Sequence, residues 1–329
     1  MYTLTRLFKS PEFYPVSVDF GTNALQFLQM SRESYRNSVF LDVRTRHLGQ
    51  SAHSVNLDDV LLASAGTGAK KEGAHYILNT AFCCSTLLAR YFELFPNCFV
   101  LKEPSLLTQL ALTPESVSRW KDVFPVCVKL LARTYLDTER PVIKVHEACN
   151  ILGNRLLQDT EITITFLSTP IRRFVLSILK SDFRRQWVRK RVSQMSKRHE
   201  FAEVFQDVDL AELSDAQAAC CMWMADHLLS QRLSASDNGN RVFVLNGDEV
   251  ADHPLEALAR IAKAGGFAVS EQQLEAVVSH PLVNRYSKDW SIPYNAASRH
   301  EEIERLEQQW GKEAEMAINW IEQRQGPLC

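Results

Sequence analysis

HYILNTAFCCSTLLAR, residues 75–90, decides how this chain is read. A short apolar run, His75 to Leu78, breaks into a compact turn of small residues. That turn opens into an apolar-periodic helix beginning near Ser85 and Thr86. Strand, tight turn, then a helix led by hydroxyls is how an α/β fold builds an anion site. Free backbone N–H groups and the positive end of the helix dipole meet at one point, and the hydroxyls add donors there. The turn Thr80–Thr86 includes Cys83, Cys84, Ser85 and Thr86 as candidate anion-binding residues. It carries no glycine and no lysine, so it is not the GxxxxGK[ST] loop of common nucleotidases.

Outward from this stretch the pattern alternates. Apolar runs fall at 76–80, 98–102, 141–146, 162–167 and 241–246, with helical periodicity between them. Short runs rich in β-branched residues, separated by helices, predict parallel strands buried on both faces. The expected fold is a three-layer α/β/α domain with a central parallel sheet, in which ligands bind beyond the carboxyl ends of the strands. The C-terminal third, from about residue 251, reads as mostly helical. HPLEALARIAKAGGF predicts an amphipathic helix stopping at Gly265–Gly266, and SEQQLEAVVSH opens with a capping box of Ser270 and Gln273. A long charged helix is expected over 298–323. Residues 1–72 read as a partly helical N-terminal extension to a main domain over 73–329. Within that extension SPEFYPVSVDF reads as irregular, ALQFLQMSRESYRNSVF as helical and GQSAHSVNLDD as loop. The glycine-rich stretch 63–74 is the boundary candidate.

Composition narrows the classes. A chain of 329 residues, 46% hydrophobic, has ample core. A formal net charge of -2 argues against a nucleic-acid-binding protein. No apolar run is long enough for a transmembrane helix, and MYTLTRLFKSPEF is a poor signal peptide, so no membrane partner is expected. The 8 cysteines include two adjacent pairs and no CxxC spacing, which fits reduced thiols in the cytoplasm and no bound metal. Cys220, Cys221 and Trp223 are expected in the core. Cys83 and Cys84, at a helix N-terminus, are candidates for lowered thiol pKa.

FLSTPIRRFVLSILKS, residues 166–181, supplies a second strand–turn–helix, with Pro170 suited to a first helical turn and Arg173 and Ser177 on one face by i,i+4 spacing. Here the chain resembles the sulfotransferase family. That family combines a strand–loop–helix for the 5′-phosphosulfate end of its donor with a second one carrying arginine, proline and serine for the 3′-phosphate. The resemblance extends to KEP (102–104), VIKVH (142–146), the acidic motif and helix of 247–267, and RYSKDW (285–290). It covers roughly residues 73–290 and is nearest to bacterial sulfotransferase-like proteins of unassigned substrate. It implies a P-loop-like fold and 3′-phosphoadenylyl sulfate as donor co-substrate, without a metal. It also implies Arg172, Arg173 and Ser177 at the 3′-phosphate, with Ser287 and Lys288 in a donor-contacting segment. The chain departs from the family pattern where Phe82 or Cys83 replaces a basic residue and Cys84 a glycine. Ser168 likewise stands where an arginine is expected, and Ser177 lies one residue late.

Sulfuryl transfer needs a base for the acceptor's proton and a cation for the leaving phosphate. Lys144 and His146, two apart at a strand end, would share a face toward one cleft. Glu103, after the second strand, is the alternative base. The run from Arg172 to Arg198 holds ten cations against one acid, Asp182, and reads as a solvated face or as an electrostatic funnel for an anionic donor or acidic acceptor. Three functions stay open: a sulfotransferase acting on a hydroxyl or amine of a small molecule, a degenerate nucleotide- or phosphate-binding module, and, less favoured, a nucleotide-dependent kinase. The acceptor carries no readable code, and a homodimer is left open.

Overall fold

A computed structural model of the chain describes residues 4–42, 52–66, 73–237, 240–286, 289–293 and 296–326. Strands β1 (Phe13–Asp19), β2 (Ala24–Gln29) and β3 (Ala52–Asn56) form an antiparallel sheet with β2 in the middle. Neither β1 nor β3 matches its expected irregular or loop reading. The expected helix over ALQFLQ is a strand too, followed by a short helix, Arg32–Asn37. Ala24, Leu25, Phe27 and Leu28 have helical spacing, yet all four are buried. A strand covered on both faces loses the period-2 signature that would identify it. Of the boundary stretch, 63–66 end the helix Leu57–Gly66 and 67–72 lie outside the described residues.

The five apolar runs become β4 (His75–Asn79), β5 (Cys98–Lys102), β6 (Arg140–Lys144), β7 (Thr163–Ser168) and β8 (Val242–Asn246). They pair in parallel in the order β5-β6-β4-β7-β8. β4, first of the five along the chain, is therefore central and buried at every residue. Helices pack on both faces. Tyr76, Leu101 and Ile143 join the core beneath the N-terminal sheet, while Ile77, Val100 and Val142 join one with Phe92, Ile261 and Phe267. This is a P-loop-like three-layer α/β/α fold, as expected. A third core, built from the helices Ile171–Leu179, Asp182–Met195 and Asp215–Ser236, takes in Ala81 and Phe82 of the loop that follows β4.

The N-terminal segment also protects the open edge of the sheet. Leu41 N–H donates to Lys102 O at 2.6 Å, and Ser105 N–H donates to Leu41 O at 2.9 Å, so the segment pairs where another chain could otherwise add. At the other end the expected C-terminal helices are present as Pro254–Gly265, Glu271–Val278 and Ala296–Gln325. Gly266 takes the left-handed conformation that stops the first of them (φ 71). The Ser270–Gln273 capping box is formed.

Candidate functional site

β4 ends at Asn79, and the next residues coil sharply: Ala81, Phe82 and Cys84 all have left-handed φ, at 60, 50 and 62° respectively. None is glycine, so each costs about 1–2 kcal/mol that neighbouring contacts must offset. Asn79 supplies several. Its side-chain Nδ2 donates to Val145 O at 2.8 Å, and its Oδ1 accepts from Ala81 N–H at 3.2 Å. Asn150 in turn donates to Asn79 O at 2.9 Å. Phe82, which with Cys83 stands near the family's basic position, packs its half-buried ring against Trp187 and Phe174. The guanidinium of Arg184 lies 4.1 Å from the centre of that ring, bringing a charge to the loop from another helix.

The helix Ser85–Glu93 begins where it was expected, with Cys84 as its N-cap residue and no side-chain cap. Ser85 hydrogen-bonds the Cys83 thiol through its N–H and its hydroxyl, and the N–H groups that follow in the first turn have no side-chain cap. Ser85 and Thr86 are each 5% exposed, and Thr80, 1% exposed, has a buried hydroxyl with no hydrogen-bond partner. The thiols differ from expectation. Burial pushes Cys84 up to about 11 against the opposing charge of Arg299, and burial also raises Cys83 against Lys144 and the hydrogen bonds of Ser85. The helix N-terminus does not overcome desolvation, so neither is a thiolate at neutral pH.

At the end of β6, Lys144 is 3% exposed and forms an ion pair with Glu103. Glu103 is itself left-handed (φ 53), and its N–H donates to Lys144 O at 2.6 Å. The two sequence candidates therefore meet each other. β6 stops at Lys144, so His146 lies past the strand, capping a 3₁₀ turn over Glu147–Leu152, and strand alternation does not orient it. Its Nδ1 is 2.7 Å from Oε2 of Glu147, whose Oε1 is 2.8 Å from Nε of Arg191. Burial pushes the Glu147 carboxyl up, but His146 and Arg191 outweigh it and hold the group below the ordinary value. Ala148 N–H also donates to Nδ1 at 3.2 Å, so both recorded contacts of the ring fall on Nδ1 and neither engages Nε2.

Arg172 and Arg173 diverge. Arg172 Nε reaches Glu307 of the C-terminal helix at 3.1 and 3.2 Å, while Arg173 Nε lies 3.3 Å from Asp248 Oδ2. Ser177 gives its carbonyl to Arg184 at 2.8 Å. Ser287 and Lys288 lie outside the described residues. Much of the basic run is matched by acids from elsewhere, with Lys180 on Glu302, Arg189 on Asp215 and Arg198 on Glu200. These pairs give the run structural work and reduce the charge left for a funnel.

Sequence reasoning missed Arg299, which is buried and ion-paired to Asp248 and Asp252, close enough to Cys84 to act on its charge. In SRHEE it is indistinguishable from any surface charge. Glu147 and Asp226 were missed as well. An aspartate within the apolar stretch ACCMWMADHLL was the available signal for the latter. Both line a cavity of about 870 Å³ beside the 3₁₀ turn, together with Arg191, Ile151, Met195 and Phe201. Trp223, as expected, is buried, its indole N–H donating to Thr169 O at 2.7 Å. Cys220 and Cys221 are buried thiols.

No family model and no curated protein matches this sequence. Among solved structures the chain is similar to the sulfotransferase domain from the curacin biosynthetic pathway, at 10% identity and a TM-score of 0.42, over 74% of this chain and 92% of that one. It is similar to the sulfotransferase domain of the Synechococcus PCC 7002 olefin synthase at 13% identity and a TM-score of 0.35, over 74% and 98%. A mouse sulfotransferase, SULT7A1, complexed with PAP, is similar at 11% identity and a TM-score of 0.35, over 66% and 67%. At these scores the likenesses assign no site residue, and the fold stands on the chain's own strand order.

Proposed function

We propose that the chain binds 3′-phosphoadenylyl sulfate at the loop after β4 and transfers its sulfuryl group to a small-molecule acceptor. The observation that carries this reading is the uncapped first turn of the helix Ser85–Glu93, joined by the unpartnered buried hydroxyl of Thr80. A helix start without a side-chain cap, at the carboxyl end of a central strand, suits a phosphosulfate. The loop has no lysine of its own, and Lys144 and Arg299 act on its two cysteines electrostatically. Both would offset negative charge on a bound phosphate.

In the proposed reaction His146 Nε2 takes the acceptor's hydroxyl proton while Glu147 holds the ring through Nδ1. The acceptor oxygen forms a bond to sulfur as the bond from sulfur to the phosphate oxygen breaks, and the negative charge left on that phosphate faces Lys144. Glu103 is the weaker candidate for the base, because its carboxylate is engaged by the Lys144 ammonium. All seven described cysteines are free, which suits the reducing cytoplasm.

A second reading, a phosphate-binding module without catalysis, draws on the ion pairs of Lys144 with Glu103 and Arg173 with Asp248, which occupy two cations that chemistry would need. Sulfur-labelled donor separates the two. Release or transfer of label by the wild type, falling about 10²–10⁴-fold in His146→Ala, supports the enzyme. Donor binding without release of label, in the presence of a broad acceptor panel, supports the module.

A further inference from the structure

The cavity beside the 3₁₀ turn contains one acid that forms no ion pair with the wall. Asp226, on the helix Asp215–Ser236, is 2% exposed and lines the cavity. Its Oδ1 accepts from Asn150 Nδ2 at 2.9 Å, while Oδ2 is buried without a partner. The other lining acids all face a cation: Glu115 pairs with Arg155, Glu147 with Arg191, and Glu200 with Arg198. Lining guanidiniums are therefore matched, and Lys197 stands exposed at the rim. What the interior lacks is a cation at Asp226. Burial, with a smaller push from Glu147, outweighs the pull of Asn150 and Arg191 and sets this carboxyl at about 8. It waits largely protonated at neutral pH, a state that an incoming ammonium would reverse.

We propose that this cavity binds an organic amine, with its ammonium on Oδ2 of Asp226 and its apolar body against Ile151, Met195, Phe201 and Leu229. Interpreting the bound amine as the acceptor rests on the sulfotransferase reading; the binding itself does not. Glu147 lines the cavity and also holds His146, so the two sites share a wall. An amine paired with Asp226 stays protonated and has no free electron pair. It anchors the acceptor, and a hydroxyl elsewhere on that molecule is the group that reacts.

The test uses the full chain without donor and two probes of matched shape, 2-phenylethylamine and 2-phenylethanol, measured by calorimetry at neutral pH. The expected result is that the amine binds at least about tenfold more tightly than the alcohol and that Asp226→Asn removes this preference. Equal affinity of the two probes, retention of the preference in Asp226→Asn, or no amine binding at millimolar concentration overturns the proposal. Should Asp226→Asn fail to fold, Leu229→Trp, which fills the cavity, is expected to abolish amine binding. Adenosine 3′,5′-bisphosphate is titrated in parallel. Amine binding without bisphosphate binding would keep the amine site and remove the transfer reading, whereas the reverse would remove only the amine site.

Discussion

A Cβ on Gly247 would stand 2.0 Å from the carbonyl oxygen of Cys83, well inside van der Waals contact. Gly247 follows β8, so the loop after β4 and the segment after β8 touch backbone to backbone. The left-handed turn at Cys84 sits directly against this contact. Gly247→Ala is therefore expected to displace the loop and weaken adenosine 3′,5′-bisphosphate binding by at least about tenfold, read by calorimetry. Unchanged affinity in a folded Gly247→Ala protein would show that the loop position does not matter to the ligand.

The buried Lys144 pairs with the half-buried Glu103, and removing one partner strands the other. Lys144→Met is expected to cost about 3 kcal/mol in urea unfolding, and Lys144→Met with Glu103→Gln to recover most of it. On the proposed mechanism turnover should remain lost in the double variant, because the cation proposed to face the leaving phosphate is still missing. Recovery of both stability and turnover would make the pair purely structural.

Cys83 and Cys84 are expected to resist alkylation. In native protein at neutral pH, iodoacetamide should label them far more slowly than in urea, as followed by peptide mass spectrometry. Fast native labelling of Cys84 would contradict the upward shift caused by its burial.

Asp226 gives stability a pH dependence of definite sign. Its folded pKa, about 8, exceeds the unfolded value of about 4, so between these limits the folded state holds a proton that the unfolded state has released. Its contribution is most favourable below pH 4, falls as pH rises toward 8, and then levels off. Asp226→Asn lacks this slope. The variant should gain on the wild type across that window by an amount on the order of a few kcal/mol, measured as urea unfolding at a series of pH values. Parallel curves for the two proteins would place the Asp226 pKa near its ordinary value.

The central sheet was legible because strands covered on both faces, as β4 to β7 are, leave continuous apolar stretches, and the partly exposed β8 is apolar in sequence as well. The start of the helix at Ser85 was legible for a similar reason, since local chemistry sets it. β2 was not, because burial on both faces let helical spacing pass unpunished. In the site, chain neighbours misled: strand alternation tied His146 to Lys144, but β6 ends between them and the 3₁₀ turn gives His146 to Glu147. Thiol pKa was misjudged by weighing the helix dipole without the burial that opposes it. Arg299 and Asp248 are 51 residues apart. No pattern in one sequence announces such a pairing.

The most direct test of the anion site is calorimetric titration of the wild type and of Thr80→Val and Thr86→Ala with adenosine 3′,5′-bisphosphate, with ATP and Mg²⁺ as comparison. The expected result is that the bisphosphate binds the wild type more tightly than ATP does, and that each variant loses affinity by about 0.5–1.5 kcal/mol per hydrogen bond removed. No bisphosphate binding at millimolar ligand while ATP with Mg²⁺ binds, or full affinity in both variants, would contradict it.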